Sequence, residues 1–211
     1  FSLQNLFFAS HSCSLLVIFQ GIDTSGKDGV IRHVFSCVNP LGVHATAFGV
    51  PCDMEREHDY MWRIFQKLPE KGMIHIFNRS YYEDILVPTV HASLSKENLD
   101  KRYEFINAFE NHLLDNNIHV IKFLLHISKQ EQKSRINKRM TNPMKEWKYS
   151  PEDIKASEHY NDFIEVYESI IRRCNVVPWT IVPSDDKWYK NYVVASAIVE
   201  KLKSLKLTYP Q

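Results

Sequence analysis

The chain has 211 residues, 44% of them apolar, and its 26 Lys and Arg against 25 Asp and Glu leave a formal charge of +1. That length suits one domain with a sizeable core, and the near-neutral balance supplies no global field for nucleic acid or an anionic membrane, so any polyanion site has to come from local clustering. No run of about 18 apolar residues offers a membrane span, and Cys13, Cys37, Cys52 and Cys174 lack the spacing of a zinc site or a disulfide framework, which points to a reducing cytoplasm.

The first clear element is the apolar run 15–19, predicted as a buried strand, which leads straight into Gly21-Ile22-Asp23-Thr24-Ser25-Gly26-Lys27-Asp28-Gly29. A glycine-rich turn between a strand and a helix aims backbone N–H groups and a helix N-terminus at one point. Lys27 adds a full positive charge there, so the segment reads as a phosphate-binding loop of the G-x-x-x-x-G-K-[ST] type. Asp28 stands where that pattern has the hydroxyl that binds magnesium. Carboxylates repel phosphates unless a divalent cation lies between them, so Asp23 and Asp28 read as a Mg²⁺–phosphate pair; the plainer reading of Asp28 is a first-turn acid complementing the helix dipole.

Further strands are predicted at 44–48, 73–77, 119–127 and 176–182, with helical spacing at 54–68 (Met54, His58, Met61, Trp62, Phe65, Leu68) and 99–113 (Leu99, Tyr103, Ile106, Phe109, Leu113). On the first helical stretch Trp62 shares the apolar stripe and reads as core before base platform, leaving Arg63 as the candidate for an acceptor phosphate. The 73–77 strand ends in Asn78-Arg79-Ser80-Tyr81-Tyr82-Glu83, a polar cluster where an open α/β sheet puts its ligand residues. Arg79 forks onto phosphate oxygens there, or pairs with Glu83 or Asp84 one turn on.

Ser128-Lys129-Gln130-Glu131 fits a capping box opening a helix over about 129–140, and Ser150-Pro151-Glu152-Asp153 opens another over 151–173, with Tyr160, Phe163, Tyr167 and Ile170 on its apolar stripe. The first carries the local basic cluster, with Arg135 and Arg139 four residues apart and Lys138 beside them. Such like charges cost a few tenths of a kcal/mol per pair unless an anion lies alongside, although most charge runs are solvated faces. The connector 141–149, with Lys145, Trp147 and Lys148, reads as a flap. Residues 183–188 frame a nucleotide or cap the last helix through Ser184 or Asp185; that helix, about 185–205, is predicted to pack Trp188, Tyr192, Ala195, Ile198 and Leu202 on one face. Alternating strands and helices argue for an α/β fold: a parallel sheet of about five strands, right-handed crossovers, and ligands at the C-terminal strand ends.

With those residues laid out, the chain resembles the family-2 polyphosphate kinases, among the P-loop kinases near thymidylate kinase. The resemblance runs through 21–29 with Ile31-Arg32-His33-Val34-Phe35, Asn39-Pro40-Leu41-Gly42-Val43, 58–63, 77–83, Pro178-Trp179 and 183–188. It implies a P-loop kinase-like three-layer sandwich in a single domain over 1–211, with a helical lid at about 129–150. The implied activity is Mg²⁺-dependent transfer of the terminal phosphoryl group of inorganic polyphosphate to AMP or ADP, or to GMP or GDP, with Mn²⁺ as a substitute ion and a homodimer or homotetramer as the assembly. Asn78, where many relatives have aspartate, and Thr24-Ser25 resemble the subgroup acting on both mono- and diphosphates. Residues and resemblance together give Asp23, Lys27, Arg79, Arg135 and Arg139 as catalytic candidates and Asp23 and Asp28 as metal ligands. Gly21, Thr24, Ser25, Gly26, Lys27, Asp28, Gly29 and Lys138 are the phosphate-binding candidates, and Arg63, Asn78, Tyr82 and Glu83 the nucleotide-binding ones. An ATP-dependent nucleoside monophosphate kinase and a weakly catalytic polyphosphate binder are the rival readings.

Overall fold

The computed structural model describes residues 1–142 and 157–210. Strand β1 (Ser14–Gln20) is buried at all seven positions, which a parallel sheet covered on both faces requires of its central strand. It pairs with β3 (Ile74–Asn78) on one side and β4 (Ile118–His126) on the other, while β2 (Val43–Ala47) and β5 (Trp179–Pro183) form the edges, in the order β2-β3-β1-β4-β5 with every pair parallel. Because the chain fills one side of β1 and then the other, the loops leaving the C-terminal ends of β1 and β4 diverge and open a crevice above β1.

Side chains alternate across β1, so Leu16 and Ile18 enter one core and Leu15, Val17 and Phe19 the other. The first core is closed by α5 (Glu83–Val90), α6 (Lys96–Asp115) and α8 (Tyr160–Arg173), through Ile85, Ile106, Phe109 and Ile170. The second is closed by α1 (Ser2–Ser10), α2 (Lys27–Val34) and α9 (Lys187–Ser204), through Phe7, Val30, Val194 and Ile198. Helix α7 (Lys129–Met140) follows β4, capped by Ser128 Oγ, which accepts from Glu131 N at 3.2 Å. The structure is therefore the expected three-layer α/β sandwich. No described helix is long and apolar enough to cross a membrane.

Four expectations are corrected. The stretch 54–68 is not one helix but two single turns, α3 (Asp53–Arg56) and α4 (Trp62–Phe65), because Asp59 Oδ1 accepts from Met61 N at 2.9 Å and competes with a helical path. Met54 and Phe65 are left 58% and 48% exposed, and Trp62 stacks on His58 with ring centroids 4.1 Å apart instead of entering the core. On α9 the buried row is Lys190, Val194, Ile198 and Leu202, and Trp188 and Tyr192 stack on each other in solvent. Asp186, not Ser184 or Asp185, caps that helix, accepting from Trp188 N at 2.7 Å, while Asp185 Oδ1 accepts from Ser128 N at 2.8 Å. Helix α1 was not expected. The predicted flap residues Lys145, Trp147 and Lys148, and the start of the 151–173 helix, lie outside the described residues.

Candidate active site

The glycine loop joins β1 to α2 in a path that only small residues allow at two points. Gly21 has φ 146°, and a Cβ there would sit 2.6 Å from Leu125 O; Gly26 has φ 95°, and a Cβ there would collide with the Lys190 ammonium. Thr24 also takes a positive φ of 67°, a conformation that costs a β-branched residue free energy and marks the turn as held by its surroundings. Lys27 opens α2, and its side chain folds back so that Nζ donates to Gly21 O at 2.5 Å and Ile22 O at 3.3 Å. Burial pulls its pKa below the usual lysine range, against Asp23, which pulls it up.

Arg79 leaves the end of β3 with φ 64°. Its amide donates to Phe19 O at 3.0 Å, and its guanidinium meets Asp23 Oδ1 at 2.5 Å. It does not pair with Glu83 or Asp84. Burial acts to raise the Asp23 carboxyl, but Lys27, Arg79 and Arg139 outweigh it and hold the group below the ordinary carboxylate range, so Asp23 is an anion at neutral pH. Burial likewise opposes the Arg79 charge, and Asp23 and Glu83 more than restore it. Asn78 Nδ2 donates to Asp28 Oδ1 at 2.8 Å across the mouth of the crevice.

Two cavities adjoin this pair. The larger, about 970 Å³, is lined by Lys27, Arg32, Arg79, Arg135, Lys138, Arg139, Lys187 and Lys190 against only three acids, Asp23, Asp28 and Glu131. Such a ratio in a chain of charge +1 is the local clustering that a polyanion site demands. The smaller, about 510 Å³, lies between Gly21, Ile22, Glu83, Leu86, Val87, His91, Gln132, His159, Phe163 and Tyr167. Asp23 and Arg79 line both and so stand between them. Around the loop, Thr24 Oγ1, Gln132 Oε1 and Asn191 Oδ1 are buried with no protein partner on residues that line the two cavities, polar atoms that a bound ligand with its water would satisfy.

Of the candidates, Asp23, Thr24, Gly26, Lys27, Asp28, Gly29, Asn78, Arg79, Arg135, Lys138 and Arg139 all line the larger cavity, while Gly21 and Glu83 line the smaller. Ser25 is buried within the loop and lines neither cavity. Two candidates lie elsewhere. Tyr82 is fully buried, its hydroxyl donating to Glu110 Oε1 at 2.6 Å, because the chain turns inward after Arg79. Arg63 is buried against the Phe48 ring and donates to Gly49 O at 2.9 Å, which anchors the loop after β2. Sequence reasoning missed Lys190, whose buried ammonium lies 3.3 Å from Gly26 O. Burial, then Arg135 and Lys187, bring its pKa down to about 8. Of the segment 183–188, Lys187 lines the larger cavity and no residue lines the smaller one, and the aromatic residues beside Lys190 hid the inward lysine.

Arg135 lines the larger cavity, but its guanidinium N–H groups are turned onto protein acceptors. Nε donates to Glu131 Oε1 at 2.8 Å, NH1 to Thr24 O and Ser25 O at 3.1 and 3.3 Å, and NH2 to Ser184 O and Asp185 O at 2.6 and 2.8 Å. For a metal, the described residues hold no cluster of three or more His, Cys, Asp or Glu. Two carboxylates at an anion site nevertheless suit Mg²⁺, which keeps several waters and takes its remaining ligands from phosphate oxygens.

The polyphosphate kinase 2 family model matches residues 2–209. An AMP/ADP-polyphosphate phosphotransferase of Meiothermus ruber is 42% identical over 211 residues, spanning 99% of this chain and 79% of that protein. An ADP-polyphosphate phosphotransferase of Rhodopseudomonas palustris is 40% identical over 223 residues, spanning 99% and 77%. The crystal structure of polyphosphate kinase 2 from Arthrobacter aurescens TC1 superimposes with a TM-score of 0.96 at 37% identity, over 100% of this chain and 76% of that one.

Proposed function

The chain belongs to the polyphosphate kinase 2 family, and from that premise we propose that it transfers the terminal phosphoryl group of inorganic polyphosphate to AMP and ADP. One observation carries the reading at the level of the site: two cavities, one strongly basic, share Asp23 and Arg79 as their common wall. A linear polyanion fits the first, over the glycine loop and along Lys138, Arg139, Lys187 and Lys190. A nucleotide fits the second, its base among Leu86, Val87 and Phe163 and its phosphate turned toward Arg79.

The attacking phosphate oxygen is already ionised near pH 7, so transfer needs position and charge neutralisation more than proton removal. Lys27 and the loop amides hold the end of the donor, and Arg79 and Arg139 spread their charge over the moving group as negative charge redistributes in the transition state. Asp23 and Asp28 would hold Mg²⁺, with Mn²⁺ as a substitute, and the ion would supply neutralisation of phosphate charge. Asn78 contributes a neutral amide beside Asp28.

Both cores are built on one sheet, which supports a single domain over 1–211 with a lid module at about 129–150, of which 143–150 lies outside the described residues. The assembly is a homodimer or homotetramer in this reading, for which the exposed aromatic residues of α9 offer contact area, and the compartment is the cytoplasm, in keeping with four free thiols.

The test is product analysis with Mg²⁺, polyphosphate or ATP as donor, and AMP, ADP, GMP or GDP as acceptor. ADP and ATP formed from polyphosphate are expected. ADP formed from AMP with ATP alone as donor would overturn the reading in favour of a nucleoside monophosphate kinase, and saturable polyphosphate binding without turnover in favour of a binding protein.

A further inference from the structure

We propose that Arg135 is a positioning residue that clasps the glycine loop to the turn between β5 and α9, rather than an arginine that touches the transferred group; the substrate-dependent part of this inference rests on the polyphosphate reading above. A guanidinium has five N–H groups, and here five acceptors take them: Glu131 fixes the shaft, and four backbone carbonyls receive the fork. Those carbonyls belong to two segments distant in sequence, Thr24 and Ser25 of the loop and Ser184 and Asp185 of the turn between β5 and α9. In this arrangement no N–H remains for a phosphate oxygen.

The consequence follows from peptide geometry. In a trans peptide the C=O of one residue and the N–H of the next point in opposite directions. Drawing Ser25 O onto Arg135 therefore turns the Gly26 N–H the other way, whereas the Lys27 N–H is set mainly by α2 itself, because Gly26 O accepts from Val30 N at 3.0 Å and lies 3.3 Å from the Lys190 ammonium. Arg135 thus sets the direction of the Gly26 amide, one of the loop amides that would hold the donor phosphate. Lysine cannot replace Arg135, since one ammonium cannot span two carbonyl pairs in a fixed fork.

Arg135→Lys and Arg135→Gln test this in two ways. Amide hydrogen exchange in the ligand-free protein is expected to speed up about tenfold or more across 21–29 and in the 183–186 turn, with α6 exchange unchanged as the sign that the global fold is intact. In steady state the KM for polyphosphate is expected to rise about tenfold, with the KM for ADP unchanged and kcat lowered by less than about tenfold. Unchanged loop exchange in both variants overturns the proposal. So does a fall in kcat of about 10³ at an unchanged donor KM, the signature of an arginine acting on the transition state. The exchange measurement needs no substrate, so wild-type protein inactive with polyphosphate would sink the functional reading and leave the clasp to be judged by exchange alone.

Discussion

At the residue scale the Asp23–Arg79 pair decides most, because Lys27 and Arg79 keep Asp23 ionised at the wall between the two cavities and Asp23 in turn holds the guanidinium there. Arg79→Ala is expected to lower kcat by about 10³–10⁵, or roughly 4–7 kcal/mol of transition-state stabilisation, with the far-ultraviolet circular dichroism unchanged. Retention of more than about a tenth of the activity would remove Arg79 from the mechanism. Lys190 gives a pH dependence with two signs. Its pKa falls from the usual 10.5 to about 8, so between those values the folded protein binds fewer protons than the unfolded chain, and stability rises with pH across the window. Donor binding runs the other way: a polyanion prefers the ammonium, so the KM for polyphosphate should climb above pH 8 by at most about one log unit per pH unit. Lys190→Arg should flatten that climb, since a guanidinium stays charged. A donor KM in the wild type that is constant from pH 7 to 10 would show that Lys190 does not face the donor.

At the element scale, β4, α6 and the turn after β3 are tied by one buried charge pair. Lys122 Nζ lies 2.8 Å from Glu110 Oε2, and Glu110 also accepts from the Tyr81 and Tyr82 hydroxyls and from Val177 N. Burial pulls the Lys122 pKa down and pushes both tyrosines well up. Removing one member leaves an uncompensated buried charge, so Lys122→Met should cost about 3–5 kcal/mol in denaturant unfolding. Lys122→Met with Glu110→Leu should cost less than the sum of the two single changes; simple additivity would show that the pair is not coupled. This knot also shows what the sequence made legible. The glycine loop, the five parallel strands and the Arg79 cluster were readable because strand burial and loop chemistry are local in sequence. Tyr82 was misplaced because its hydroxyl is claimed by Glu110, on a helix that carries no site signal of its own. The α9 face was misread because Ile198 and Leu202 serve either stripe, and the first turns are settled by Lys190 reaching Gly26 across the fold. Arg135 was recognised as part of the basic cluster, but the carbonyls it binds belong to segments that only folding brings together.

At the scale of the whole molecule, the site takes parts from both layers around the sheet: α2 and α9 pack on one face, whereas α8, with Phe163 and Tyr167, packs on the other. Ligands that occupy both cavities therefore brace the two layers against each other, and their binding should appear as global stability. Polyphosphate at a hundred times its Kd adds about 2.7 kcal/mol, which for a domain of this size raises the thermal midpoint by roughly 5–10 °C. AMP at a hundred times its own Kd should do about the same. The combination separates a shared site from two facing ones. Without Mg²⁺ the two anions meet across Asp23 and Arg79 with only the protein's cations between them, so the joint shift should fall short of the sum of the single shifts. With Mg²⁺ the repulsion is relieved and the shifts should add. A joint shift no larger than the greater single one, with Mg²⁺ present, would mean that the nucleotide and polyphosphate compete for one cavity, and the in-line arrangement across the Asp23–Arg79 wall would be wrong.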